Sequence, residues 1–532
     1  MKTIKKNLFV LTTVLMSLAL VATACSGGSK TTGSTTSPNE SSKAVAPDGK
    51  TALKPYEVVM VYPDNPLKDN PKVQDAMNEY LKKTYPELNV SVKLNPIDFG
   101  AWSDKTNLMF ASNEKFDLIF TANWLGPFDT QVNKGALLPL DDLLKKYGPD
   151  IEAVEKDYHV GAVRKGKLYA IHTHQELGNP QGIVVRKDLA EKYKFDLTKL
   201  TTSKNMADLE PLLKTIKENE PGITPMVGGT TGPGEFPLDG FFAGSKIDGL
   251  TGPTGLEISK NDMKIVNIYE TESYMELAKL THKWYKLGYI NKDATSKGVR
   301  GDEKMRAKLG FAIAGGSSEI LADTDTPQPM PSLSKSLGLE LIQIPMAKDM
   351  LKTGKLMATM QGISKTSADP DRAMMLLNLF FKDAKLLTLF NFGIEGTHYV
   401  MKDGQIDLPA GMTSATSPYY HDIQWQIGNQ LLNYTRVGED PKKYEIYEKF
   451  NKEVAKRKSN MYGFIFDSEP VKNELIAIDN ITKTYDPGLK SGTLDPEVEV
   501  PNLIKKLKEI GMDKVIAEAQ KQLDEWAKTN GK

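Results

Sequence analysis

From Tyr56 to Tyr62 the chain is apolar and β-branched (YEVVMVY), and it stops at Pro63, Asp64, Asn65 and Pro66, a turn-forming set. Within Pro71 to Tyr85, Val73, Met77, Tyr80 and Leu81 recur at the spacing of one helix face. Leu88, Val90, Val92 and Leu94 then alternate as a half-buried strand does. A helix over Trp102–Ala111, a strand over Phe116–Ala122 and a short helix over Pro139–Tyr147 follow. The order β-α-β-α-β-α predicts a mainly parallel sheet with helices on both faces.

The pattern restarts at Gly182–Arg186, followed by helical stretches Lys187–Tyr193 and Met206–Asn219, the second with Ser203 or Asn205 as N-cap. Residues 221–270 are rich in Gly and Pro with scattered strands. Tyr274–Leu287 is an amphipathic helix closed by Gly288. Leu309–Ala314 and Gly338–Pro345 read as strands, and Ala358–Ile363 leads through Pro370 into a helix over Asp371–Phe381. From Asp440 onward the chain is mostly helical. No internal repeat is present, which argues against solenoids and propellers.

The 532 residues make room for two to four domains. Acids and bases balance at 68 each, which argues against a nucleic-acid-binding protein. The lone cysteine excludes a disulfide framework and a cysteine-rich zinc site. It is Cys25, and its setting is informative. Lys2, Lys5 and Lys6 precede an apolar run from Leu8 to Val21, too short for a confident membrane span, and Ala22, Thr23 and Ala24 then meet the cysteine. This is the layout of a secretory signal peptide over residues 1–24, and its end resembles a bacterial lipobox, with Ala22 where leucine is commoner. The resemblance implies cleavage before Cys25 and lipid on that residue, an anchor stable only with more than one acyl chain. Cleavage leaves 65 bases against 68 acids, a formal charge of −3. Ser26–Lys50 is small and polar, the composition of a flexible tether, so residues 25–52 read as lipidated cysteine plus tether.

Several segments resemble the family 1 extracellular solute-binding proteins that serve ABC importers: Gly135–Asp142 (GALLPLDD), Gly166–Ile171 (GKLYAI), Val184–Leu189 (VVRKDL), Tyr285–Ile290 (YKLGYI), Gly310–Ala314 (GFAIA) and Ile363–Ala368 (ISKTSA). Asn391–Tyr399 (NFGIEGTHY), Gly463–Asp467 (GFIFD) and Gly511–Val515 (GMDKV) through Trp526 resemble a subgroup of large Gram-positive lipoproteins with a C-terminal domain of unassigned function. No single motif decides; their order and spacing do. The resemblance implies an α/β fold of two lobes, type II among periplasmic-binding-protein-like folds, with crossover hinge segments and a helical C-terminal extension. Residues 53–180 would begin the first lobe, 181–357 the second, 358–400 return to the first, and 401–532 complete the second and add the helical region. It also implies a monomer on the outer face of the cell membrane, with permease subunits as partners and no cofactor.

Ligands of open α/β sheets sit beyond the carboxyl ends of the strands. Trp124, with Asn123, follows the third strand, so its indole is placed to offer a flat face and one N–H donor to a sugar ring; packing on the next helix is the alternative. Asp64 and Asn65 follow the first strand, where they either meet hydroxyls or make a turn. The family's second lobe often supplies an aromatic from the region of Trp425, and Tyr420 belongs to the same mixture of aromatic and polar residues (YYHDIQWQI, Tyr419–Ile427). Glu395, His398 and Tyr399 fall near the second crossover, to bind solute or, preferably, brace the hinge. His172, His174 and Glu176 share one face if extended, a weak zinc spacing; solute contact by His174 and Glu176 or a solvated hinge is the preferred reading, with no metal. Trp284 and Trp526 are read as core, and the adjacent Asp141 and Asp142 as surface. No Gly-x-Ser-x-Gly, Walker loop or His-Glu-x-x-His occurs.

The function these residues favour is a receptor for a small solute, an oligosaccharide, delivered to an importer by lobe closure. A net charge near zero steers no strongly charged ligand, although local patches are free to differ. The alternatives are a peptide receptor, a secreted glycosidase with two carboxylates across a cleft, and a solute-binding adhesin or sensor.

Overall fold

The computed structural model describes residues 53–126, 128–178, 181–229, 241–242, 245–316 and 326–532. The signal-peptide, Cys25 and tether expectations lie outside the described residues.

The first lobe opens with β1 (Tyr56–Pro63), α1 (Asn70–Thr84), β2 (Val90–Ile97), α2 (Trp102–Ala111) and β3 (Leu118–Thr121). The helix α3 (Pro149–Glu155) and β4 (Ala170–His172) follow. β1 pairs in parallel with β2 from Tyr56 against Val90 to Pro63 against Ile97, and with β3 on its other side. Both faces of this sheet are covered, which is why β1 carries an almost unbroken apolar run. α1 turns Val73, Met77 and Leu81 inward, as their spacing predicts.

The second lobe contains β5 (Gln181–Arg186), α4 (Glu210–Asn219), β6 (Thr224–Met226), β7 (Ile247–Gly249), β8 (Thr254–Glu257), β9 (Ile265–Asn267) and α5 (Glu272–Lys286). It continues with β10 (Gly310–Gly316), β11 (Gln328–Pro329), α6 (Pro331–Leu337) and β12 (Leu341–Pro345). Its sheet runs β11-β12-β5-β10-β6, with β7, β8 and β9 in a separate antiparallel sheet. Trp284 on α5 is fully buried in the core, as its helical face predicts.

The chain returns as β13 (Met360–Ile363), α7 (Pro370–Leu379) and α8 (Ala384–Phe392). β13 inserts between β3 and β4 and runs antiparallel to both, giving the first sheet the order β2-β1-β3-β13-β4. Only β1, β2 and β3 therefore form the parallel ladder expected from the sequence. β13 reverses because it arrives from the other lobe rather than by a right-handed crossover within one.

A second correction concerns 401–532. The hairpin β14 (Val400–Lys402) and β15 (Gln405–Asp407) is followed by irregular chain that stays with the first lobe. Tyr419, Ile423 and Ile427 lie in the same core as Tyr62 and Phe390, and Tyr419 Oη donates to the Phe390 carbonyl at 2.7 Å. The transfer to the second lobe comes later. α9 (Lys443–Val454) packs Tyr447, Phe450 and Val454 against Leu177, Leu351 and Leu356 of the two crossovers. α10 (Lys472–Ser491), α11 (Pro496–Glu509) and α12 (Met512–Thr529) then share one core with β7, β8, β9 and α5, so the helical extension enlarges the second lobe. Trp526 packs against that core.

Candidate functional site

β1, β2 and β3 end along one edge of the first sheet, and three aromatic rings collect there. Trp124, just past β3, is 54 % exposed. Phe120, inside β3, is fully buried. Trp425 packs its ring edge-on to Phe120 at 5.7 Å between centroids and sits 6.1 Å from Trp124 at an interplanar angle of 42°. The two indoles form a tilted platform floored by Phe120, with Trp124 open to solvent.

Hydrogen bonds fix this platform. Trp124 Nε1 donates to the Ala358 carbonyl at 2.7 Å, and Trp425 Nε1 donates to the Asp422 carbonyl at 2.9 Å. The N–H expected to reach a solute is thus used by backbone in both residues, so what the rings offer is their faces. Trp425 comes from the first lobe, beside Trp124, rather than from the second as the sequence reading had it. The reason lies one residue on. Gln426 is fully buried, its Nε2 donates to the Pro63 carbonyl at 2.7 Å, and its own carbonyl accepts from Thr173 Oγ1 at 3.0 Å and Gln361 Nε2 at 2.8 Å. One glutamine joins the end of β1, the exit of β4 and the middle of β13, and so places Trp425. Nothing in the sequence singles it out beyond its neighbours.

The polar candidates fall into two groups. Asn65 and Asn123 are exposed at the same edge, Asn123 with only a long contact of 3.4 Å from Nδ2 to the Gly354 carbonyl. Phe99, just past β2, is 39 % exposed on this edge and was missed by the sequence reading; its place at a strand's carboxyl end was the available signal. Asp64, in contrast, lies beneath the surface. Its Oδ1 accepts from the Asn65 backbone N–H at 2.8 Å and its Oδ2 meets His421 Nδ1 at 2.6 Å. His421 Nε2 faces the Phe390 carbonyl at 3.2 Å. Asp64 therefore ties β1 to the 419–427 segment instead of presenting a carboxylate to solute.

The hinge residues are engaged in the same way. His172 Nδ1 and His174 Nδ1 meet the two oxygens of Glu155, at 2.9 and 2.6 Å. Burial alone would raise the Glu155 carboxyl, but the two imidazoles hold it below its ordinary value. Glu155 was missed, although it lies four residues after buried Ile151 on the inward face of α3. The histidines of the weak zinc spacing thus turn their Nδ1 atoms to a carboxylate on helix α3. Glu176 accepts from Lys355 Nζ at 3.2 Å, which links the crossover leaving β4 to the crossover entering β13. Among the described residues no cluster has the makings of a metal site.

His398 is buried; its Nδ1 accepts from the Ile394 N–H at 2.9 Å, so Nε2 carries the proton and donates to Asp69 at 3.1 Å. It joins the turn after α8 to the start of α1. Glu395 is exposed in that turn, and Tyr399 beside it is pushed up to about 12, by burial first and by Glu395 second. Tyr420 stands apart from the indoles, against Arg436.

Residues 68–384 match the model of the bacterial extracellular solute-binding protein family, and residues 460–528 match a domain of unknown function (DUF3502). The chain is 29 % identical over 497 residues to a protein of Streptococcus pneumoniae serotype 4 named carbohydrate ABC transporter substrate-binding protein, covering 92 % of this chain and 93 % of that one. It is 24 % identical over 359 residues to lipoprotein LipO of Bacillus subtilis, covering 65 % and 67 %. Its fold is similar to that of the N-glycan transport solute binding protein NgtS of Streptococcus pneumoniae, with a TM-score of 0.76 and 24 % identity over 90 % of this chain and all of that one. The chain belongs to the bacterial extracellular solute-binding protein family.

Proposed function

We propose that this protein is the extracellular receptor of an ABC importer and that it holds an oligosaccharide on the indole faces of Trp124 and Trp425. The observation that carries this reading is the platform itself. Two large apolar faces lie at a sheet edge, with their N–H groups committed to backbone and exposed Asn65 and Asn123 beside them. Such a surface suits the C–H face of a pyranose, flanked by amides for its hydroxyls.

The platform lies next to both crossovers, since Trp124 is bonded to Ala358 and Gln426, the residue after Trp425, accepts from Thr173. A solute seated there and touched by the second lobe stabilises the closed arrangement by its differential affinity, which is the signal an importer reads. Grip rather than reaction is the output. Cys25 would carry the lipid and residues 26–52 the tether of a monomer standing on the outer face of the membrane. The relatives named for carbohydrate and N-glycan transport support the choice of solute class.

The test is a thermal-shift and calorimetric screen of the mature chain against oligosaccharides of plant and host glycans. A saturable rise in melting temperature, of about 2.7 kcal/mol in stability at a hundredfold excess over Kd, without any new sugar product, is the expected result. Release of shorter sugars, or shifts only with peptides, would overturn the reading.

A further inference from the structure

A cavity of about 180 Å³ lies away from the indole platform, where α6 of the second lobe meets the first-lobe chain 391–437. Neither Trp124 nor Trp425 lines it. Its wall includes Tyr399, Tyr420, Asp407 and Arg436 from the first lobe and Lys335 from the second. Lys335 Nζ donates across the boundary to the Val437 carbonyl, so the cavity is closed only while the two lobes touch.

Arg436 is the feature that needs an explanation. Its guanidinium carbon lies 4.5 Å from the ring centroid of Tyr420 and 5.3 Å from that of Phe392. Nη2 donates to the His421 carbonyl at 2.7 Å. Those contacts hold the plane in place. Nε and Nη1 have no hydrogen-bond partner among the described residues, and neither is sealed from solvent. Among the described residues no carboxylate pairs with this guanidinium, although most other arginines of the chain, such as Arg164, Arg186, Arg300 and Arg372, are matched to an aspartate. Lys335 on the facing wall also meets no acid among the described residues. The one carboxylate of the lining, Asp407, has an oxygen taken by the Leu408 N–H at 2.9 Å. Two cations thus face one partly engaged anion. The hydroxyls of Tyr399 and Tyr420 make no hydrogen bond among the described residues.

With Nη2 committed, the Nε and Nη1 donors of this pre-positioned guanidinium act singly, and together with the ammonium on the facing wall they suit a carboxylate. The cavity is smaller than the roughly 300–1,000 Å³ of pockets for drug-sized ligands, which limits it to one ring. We propose that this cavity is a subsite for a single sugar ring that bears a carboxylate, a hexuronate residue, with Arg436 and Lys335 on its carboxylate and the Tyr399 and Tyr420 hydroxyls on its ring. This deepens the reading of the protein as an oligosaccharide receptor and rests on it. Because the wall is drawn from both lobes, the seated ring bridges them and favours closure.

The test is calorimetric titration of the mature chain with D-glucuronate, D-glucose and acetate, on wild type, Arg436→Gln, Lys335→Gln and Trp124→Ala. Wild type is expected to bind glucuronate at least tenfold more tightly than glucose or acetate. Arg436→Gln abolishes that preference, Lys335→Gln reduces it, and Trp124→Ala leaves it in place. Lys335 is exposed, so its variant carries the test if Arg436→Gln does not fold. Equal binding of glucuronate and glucose, equal binding of acetate, or a preference that survives the Arg436 and Lys335 changes would each overturn the proposal. Loss of the preference in Trp124→Ala would overturn it too, by moving the anion to the platform. Neutral oligosaccharides that bind wild type and fail on Trp124→Ala keep the receptor reading alive whatever happens at Arg436, so the two failures are separable.

Discussion

The indole platform and the hinge cluster are built from residues that look equally eligible for solute, yet they end in opposite states. Trp124 is more than half exposed and, with Trp425, has every polar atom occupied by backbone, which frees the ring faces for an incoming sugar. Asp64, His172, Glu176 and His398 are buried, His174 is half-buried, and all five are paired with protein. A polar side chain near a cleft binds solute only when its own partners are missing, and here the fold has already supplied them. The same criterion, applied to cations, singles out Arg436.

The largest effect expected from this contrast is on stability and belongs to the hinge. Glu155→Gln removes the charge that two imidazoles share in a fully buried place and should cost about 3 kcal/mol at pH 7, measured by urea unfolding. The pH dependence has a definite sign. The folded carboxyl titrates below its ordinary value of 4.5, so the unfolded chain takes up the proton first as pH falls. The contribution is therefore full above about 4.5 and disappears as pH drops through the lowered folded value. Wild type should lose stability more steeply than Glu155→Gln in that window; parallel slopes would mean that the carboxylate carries no such linkage.

Next comes the platform. Trp124→Ala should weaken oligosaccharide binding by about 2 kcal/mol, roughly thirtyfold in Kd, as loss of a central aromatic anchor does. Its stability cost should stay near 1 kcal/mol or less, because more than half of the ring is already in water. The two positions then form a crossed pair: Glu155 moves the unfolding midpoint and Trp124 moves the affinity. An affinity unchanged in Trp124→Ala would dissolve the contrast.

That crossing also marks how far the sequence could be read. The alternation of Val90, Val92 and Leu94, the helical face of Val73, Met77 and Leu81, and the place of Trp124 just after a strand are local patterns, and each survives into the structure. Family landmarks supplied the two-lobe expectation. What was not legible depends on tertiary contacts, some of them hundreds of residues apart. Gln426 reaches Pro63, His421 reaches Asp64, and Glu155 sits between His172 and His174, and no spacing along the chain announces any of these. The lobe assignment of 401–437 failed for the same reason: an irregular segment has no periodicity, and only the burial of Tyr419, Ile423 and Ile427 against Tyr62 and Phe390 shows where it belongs.

A smaller effect is expected at Asp64. Asp64→Asn keeps an oxygen for the Asn65 N–H but replaces the carboxylate that meets His421, so a loss of about 1–2 kcal/mol in stability is expected. Affinity should fall only as far as the 419–427 segment loosens and carries Trp425 with it, a few-fold at most. A thirtyfold loss with an unchanged unfolding midpoint would put Asp64 back in contact with solute.

The smallest effect should come from Glu176. Its carboxylate and Lys355 Nζ lie 3.2 Å apart, with side chains 12 % and 22 % exposed, a partly screened pair whose removal in Glu176→Gln should cost at most about 1 kcal/mol. The pair joins the crossover leaving β4 to the one entering β13, and both crossovers also pack Leu177, Leu351 and Leu356 against Tyr447 and Phe450 of α9, which hold them together without it. A bond between two crossovers that bend together on lobe closure would be kept in open and closed states alike and would contribute little to the difference between them. Calorimetry on Glu176→Gln should therefore give a Kd within twofold of wild type. A tenfold change at an unaltered unfolding midpoint would show that this carboxylate faces the sugar after all, and that the hinge and the platform are one surface.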